Sequence, residues 1–133
     1  MIVLDASVVI DLLLDVSPYA KPIAERIATE SPELFAPYLL DVEVGQVLRR
    51  YVLRGEIPAA RALSALEDLI ALPVHRYPHA ILLKRAFELR DNVTLYDAIY
   101  LALAEALGAP LLTRDAALAK APGIAAKVEL VQL

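Results

Sequence analysis

Four acidic residues, Asp5, Glu43, Asp97 and Asp115, stand where carboxylates could do chemistry. Asp5 ends the apolar run Met1–Leu4, and Asp115 follows the apolar run Pro110–Thr113. If both runs are parallel strands, both acids reach the carboxyl edge of one sheet, where open α/β folds place their ligands. Glu43 and Asp97 sit in segments of helical period. The neighbours of Glu43 three and four residues away are Leu39, Leu40, Gln46 and Val47. Three of those four are apolar, so Glu43 projects from the inward stripe of its helix. Tyr100, Leu101, Ala104 and Leu107 continue an apolar face from Asp97. Two like charges 4 Å apart repel by about 4 kcal/mol at an effective dielectric near 20. Four gathered carboxylates therefore call for a cation, and Mg2+ or Mn2+ suits an all-oxygen set. Such an ion can activate water and neutralise a phosphoryl group.

Each acid also has a plainer reading. Asp5 and Asp115 precede helices and could cap them, and Ser7 could cap the first one equally well. Thr94 and Asp97 have the spacing of a capping box, and an acid in a first turn favours the helix dipole. Glu43 lies mid-helix and cannot be a cap. A buried carboxylate there must be paired, protonated or metal-bound, and its rival reading is a salt bridge to an arginine. Asp41, on another side of that helix, reads as a surface charge.

The elements that must position these acids follow from hydrophobic periodicity. Strands are expected at Met1–Leu4, Leu34–Ala36, Val74–Arg76, Pro110–Thr113 and Lys127–Val131. Helices are expected at Ser7–Leu14, Tyr19–Thr29, Tyr38–Leu53, Ala59–Ala71, Ala80–Arg90, Leu95–Leu107 and Ala116–Ala121, with Gly55 and Gly108 as stops. Strands alternating with helices predict an α/β fold with a parallel sheet. The 133 residues fit one domain, 1–133, able to build its own core.

Composition narrows the classes. Apolar residues make up 59% of the chain and charged residues 23%, which excludes a disordered chain. Mean hydropathy is high, +0.55. Asp97, Glu105, Gly108 and Pro110 nevertheless interrupt the longest apolar stretch, so no membrane span is expected. The surplus fits a covered sheet or a face reserved for a second chain. Cysteine is absent and His75 and His79 are the only histidines, which excludes disulfides, thiolate sites and a histidine-rich zinc centre. Met1–Asp5 carries no secretory signal pattern, so a cytoplasmic location is expected. The net charge of −4 argues against broad electrostatic binding of nucleic acid, and any phosphate contacts must be local.

Three segments together resemble the PIN-domain family, and within it the VapC-type toxin ribonucleases of toxin–antitoxin pairs. They are Met-Ile-Val-Leu-Asp5-Ala-Ser7, the helix Thr94-Leu-Tyr-Asp97-Ala-Ile-Tyr-Leu-Ala-Leu-Ala-Glu105, and Pro110-Leu-Leu-Thr113-Arg-Asp115. Glu43 falls where the family keeps its helical acid. The resemblance covers nearly the whole chain. It implies a three-layer sandwich with a central parallel five-stranded sheet flanked by helices. Asp5, Glu43, Asp97 and Asp115 would surround one or two Mg2+ or Mn2+ ions, with Ser7 and Thr113 ordering the ligands or their water. Some members carry a further acid after the Asp115 position, which Ala116–Ala119 does not supply. The implied reaction is endonucleolytic cleavage of RNA by metal-activated water. A homodimer and a small antitoxin that silences the enzyme are implied as well.

For RNA contact, Arg114 is favoured because it adjoins Asp115. Arg49, Arg50, Arg54 and Arg61, and the pair Lys84 and Arg85, read first as solvated surface. Tyr96 and Tyr100 could stack on bases, although core or dimer-interface roles suit an apolar helix better. The apolar spacing of Ala59–Ala71 suits either a partner helix or intramolecular packing. Three rival functions remain. A phosphotransfer enzyme would want an acid where Ser7 stands, and a receiver-type domain would want a lysine that Lys127 supplies at the wrong strand end. The third is a catalytically inactive PIN-like module that binds RNA or protein.

Overall fold

The computed structural model describes residues 1–30 and 32–133. Five short strands, β1 (Ile2–Leu4), β2 (Leu34–Pro37), β3 (Val74–Tyr77), β4 (Leu111–Thr113) and β5 (Val128–Leu130), form one sheet in the order β3-β2-β1-β4-β5. Every pairing is parallel. Parallel neighbours need crossovers, and the helices supply them. They are α1 (Ala6–Leu14), α2 (Ala20–Glu30), α3 (Leu39–Leu53), α4 (Ala59–Ala71), α5 (Leu83–Glu88), α6 (Leu95–Leu107) and α7 (Ala116–Lys120).

Both sheet faces are covered, which explains why β1 is apolar at every position and wholly buried. Ile2, Leu4 and Leu112 pack into one core with residues of α1, α2, α3 and α4. Val3, Phe35 and Leu111 point the other way, into a second core with α5, α6 and α7. The alternation along each strand therefore makes three layers, as expected. Gly108 ends α6 with φ 62°, a conformation that glycine adopts without strain.

The expected helix over Ala80–Arg90 is divided into a 3-10 turn at Ala80–Leu82 and the six-residue α5. Leu82, Ala86 and Leu89, at i, i+4 and i+7, are its buried positions, so the helical stripe is kept although the first turn is tighter. Asp41 is more than a surface charge. Arg76 of β3 grips it with Nε at 3.0 and 2.8 Å from its two oxygens, and also donates to the Leu69 carbonyl at the end of α4. Arg85 likewise binds Glu105 of α6, at 2.7 and 2.9 Å. Among the described residues, no helix is long and apolar enough to cross a membrane.

Candidate active site

The register fixes the site. Val3 aligns with Leu111 and Leu4 with Leu112, so β4 runs one residue past the end of β1 at the same sheet edge. The Asp5 amide then donates to the Leu112 carbonyl at 3.1 Å, bringing Asp5 beside Thr113. Between β1 and β4 the chain order reverses direction, since β2 and β3 lie on one side of β1 and β4 and β5 on the other. A crevice at such a switch point is where open parallel sheets hold ligands. Here it is a cleft of about 580 Å3 lined by all four acids, Asp5, Glu43, Asp97 and Asp115.

Each acid is held differently. Asp5 precedes α1 but makes no side-chain cap to it. Instead its Oδ2 accepts from Thr113 Oγ1 at 2.6 Å and from Ser7 Oγ at 3.0 Å. Asp5 is 8% exposed and Thr113 fully buried, so the bond between them is poorly contested by water. Burial pushes the Asp5 carboxyl above its usual range, and the two hydroxyls pull it partway back. Glu43 projects from α3 beside the buried ridge Leu40, Val44 and Leu48. Its partner is the Tyr100 phenol at 2.6 Å, not an arginine. Burial raises the Glu43 carboxyl, Tyr100 lowers it, and the charges of Asp5 and Asp97 raise it again.

Asp97 and Asp115 do serve helices as well as the cleft. Thr94 caps α6 by accepting from the Asp97 amide at 3.2 Å, which leaves the Asp97 carboxylate outside that bond. Burial, then Asp5 and Asp115, raise its carboxyl. Asp115 caps α7 through Oδ1, which accepts from the Ala117 amide at 2.9 Å. Its own amide donates to Thr113 Oγ1 at 3.0 Å. The hydroxyl of Thr113 thus links two of the acids.

Among the described residues, none of the four acids is in an ion pair. Equally, no three of the acids already close around a single point as a ligand set. They line one cleft as separate oxygen donors, and the charges of neighbouring acids raise the carboxyls of Asp5, Glu43 and Asp97. A hard cation fits that chemistry, because Mg2+ keeps several waters and takes only one or two carboxylates directly.

Arg114 does not line this cleft. Its guanidinium turns to Asp11 and to the face of Tyr19, so the phosphate contact expected of it has no geometric support. Arg50, grouped with the solvated arginines by sequence, lines the cleft instead, together with Gln46 and Tyr96. Tyr100 and Asp11 are the residues that sequence reasoning undervalued. A tyrosine amid the apolar face of α6 was a usable signal, since a buried phenol needs a polar partner.

A sequence profile described as the PIN domain matches residues 2–124. Ribonuclease VapC1 of Mycobacterium tuberculosis is 46% identical over 131 residues, spanning 98% of this chain and 97% of that protein. The chain belongs to the PIN-domain family, in its VapC-type branch. Ribonuclease VapC12 of the same organism is 40% identical, spanning 98% of this chain and 99% of its own length. The PIN fold is matched too by the DNA-bound VapBC structure from Salmonella typhimurium, with a TM-score of 0.74, 16% identity and 98% coverage of each chain. That last likeness is one of fold.

Proposed function

We propose that this VapC-type chain is a Mg2+- or Mn2+-dependent endoribonuclease and the toxin of a VapBC-type toxin–antitoxin pair. The observation that carries the reading is the convergence of Asp5, Glu43, Asp97 and Asp115 on one cleft at the switch point, with none of the four in an ion pair among the described residues. Those four residues would hold the cation, which when bound supplies activation of water and neutralisation of phosphate charge. Ser7 and Thr113 fix the rotation of the Asp5 carboxylate by binding the same oxygen. Tyr100 holds Glu43 against the wall formed by α6. Arg50 at the edge of the cleft supplies the local positive charge for an RNA phosphate that the overall charge of −4 does not.

The names of VapC1 and VapC12 as ribonucleases support RNA as substrate. The VapBC complexes among the structural relatives support an antitoxin partner. Ile81, Leu83 and Phe87, 78%, 44% and 59% exposed, support a homodimer by leaving apolar area uncovered. A cytoplasmic location accords with an RNA target, and residues 1–133 act as one nuclease domain.

Purified protein incubated with RNA tests this reading. Cleavage in Mg2+ or Mn2+, abolished by chelation and by Asp5→Asn or Asp97→Asn in folded variants, is expected. Metal-independent cutting, or full activity in both variants, contradicts it.

A further inference from the structure

Arg114 lies between two residues of the site, Thr113 and Asp115, yet its side chain is spent elsewhere. Nη1 donates to Asp11 Oδ1 at 3.0 Å and stands 2.8 Å from Oδ2. The guanidinium carbon sits 3.5 Å above the centroid of the Tyr19 ring. Asp11, in α1, is 3% exposed, and among the described residues it shares deep burial with the polar groups of Asp5, Tyr100 and Thr113. Of these, Asp5 lines the cleft and Thr113 donates to Asp5.

An ionised carboxylate is costly to bury unless paired. Burial pushes the Asp11 carboxyl up and Arg114 pulls it down. A planar guanidinium that is both paired and stacked is also fixed in orientation, unlike a solvated lysine or arginine. Its backbone is correspondingly placed: the Arg114 amide points at Ser7 Oγ at 3.4 Å, and the next amide, of Asp115, donates to Thr113. Thr113 Oγ1 faces Asp5 while the Arg114 guanidinium faces Asp11 of α1, so consecutive residues at this bend turn to opposite sides.

We infer that Arg114, anchored by Asp11 and Tyr19, is a positioning residue that holds the turn between β4 and α7 and so aims the Asp115 carboxylate at the cation. This rests on the metal-dependent reading proposed above. Arg114 touches neither the cleft nor its ligands through its guanidinium, and it acts through Asp115. The pair therefore serves geometry, and packing alone does not replace it.

The test compares wild type, Arg114→Met, Arg114→Lys and the double variant Asp11→Leu/Arg114→Met. The double variant replaces the ion pair by apolar contact, a change that buried pairs often tolerate, and so guards against simple unfolding. Hydrogen exchange at the Asp115 and Ala117 amides is measured without metal, and Mn2+ affinity by calorimetry. In Arg114→Met and in the double variant both amides exchange faster. Their Mn2+ affinity falls about tenfold, the loss typical of residues that orient ligands. Their kcat on RNA falls with KM unchanged, and Arg114→Lys recovers part of the loss. Unchanged exchange and Mn2+ affinity in a folded double variant overturn the inference. So does a raised KM with a shallower salt dependence, the mark of a lost phosphate contact. A wild type that binds no Mn2+ overturns the metal reading and the aim at a cation, while the exchange rates still decide whether Arg114 holds the turn.

Discussion

The phenol of Tyr100 donates a 2.6 Å hydrogen bond to Oε1 of Glu43, joining α6 to α3 at the cleft. Tyr100 is 1% exposed, and both burial and the neighbouring Glu43 push its own proton to be held more firmly. The phenol is therefore a fixed donor. It favours the charged form of Glu43 against burial and against Asp5 and Asp97, which favour the neutral form.

Tyr100→Phe removes that donor and keeps the ring. Glu43 then titrates at higher pH, so the acid limb of the cleavage profile moves upward in pH. The lost hydrogen bond to a charged group costs about 1.5–3 kcal/mol. Rates measured from pH 5 to pH 8 in Mg2+ check this. An unshifted acid limb would show that Glu43 does not need its charge.

Thr113 and Ser7 share one acceptor, Asp5 Oδ2, but not equally. Thr113 is fully buried and its bond is 2.6 Å, whereas Ser7 is only half-buried and its bond is 3.0 Å. Thr113→Val keeps the shape and should destabilise the fold by about 1.5–3 kcal/mol while sharply weakening cleavage. Ser7→Ala should do less of both, and Thr113→Ser should restore most activity. Urea unfolding with parallel RNA cleavage gives both readings; equal effects at Ser7 and Thr113 would contradict the ranking.

Asp97 illustrates why site acids cost stability. Burial, then Asp5 and Asp115, raise its carboxyl above the unfolded value. The folded chain then binds more protons, so the associated stability is full at acid pH and is lost as pH rises through the folded value. Its first-turn position opposes this by only about 0.3–1 kcal/mol. Asp97→Asn should therefore melt above wild type at pH 7 without metal, with the gap closing near pH 3. Mn2+ at a hundred times the wild-type Kd should narrow or reverse the gap, since wild type gains about 2.7 kcal/mol and a variant binding tenfold more weakly gains about 1.4 kcal/mol. A variant that melts lower than metal-free wild type at pH 7 would refute the account.

Glu105 has the opposite sign. Arg85 holds its carboxyl below the usual glutamate range, helped by the Ala125 amide at 2.9 Å and opposed by burial. Its contribution is present above the unfolded value and disappears as pH falls through the lower folded one. Glu105→Gln should lower the urea midpoint at pH 7 and much less at pH 3. A loss of equal size at both pH values would show that the charge is not what matters.

Much of the fold was legible because its signals are local. Apolar strands ending in Asp5 and Thr113, and a helix bounded by Thr94 and Gly108, carry their own boundaries. That the four acids share one cleft was legible because Glu43 sits mid-helix, where a cap is no explanation. What stayed hidden depends on contacts between residues distant in sequence. Nothing near Arg114 announces that its guanidinium reaches Asp11 across 103 positions. Asp41 and Arg76, apart by 35, are equally silent. Arg50 reads as one of several surface arginines until α3 is laid along the cleft.

Asp5, Glu43, Asp97 and Asp115 are proposed to hold a divalent cation together. Calorimetric titration of Mn2+ into metal-free wild type and into folded Asp5→Asn, Glu43→Gln, Asp97→Asn and Asp115→Asn variants addresses it directly. Saturable binding to wild type, weakened at least tenfold in Asp5→Asn and Asp97→Asn, is the predicted result. Absence of binding to wild type, or binding undiminished in all four variants, would contradict it.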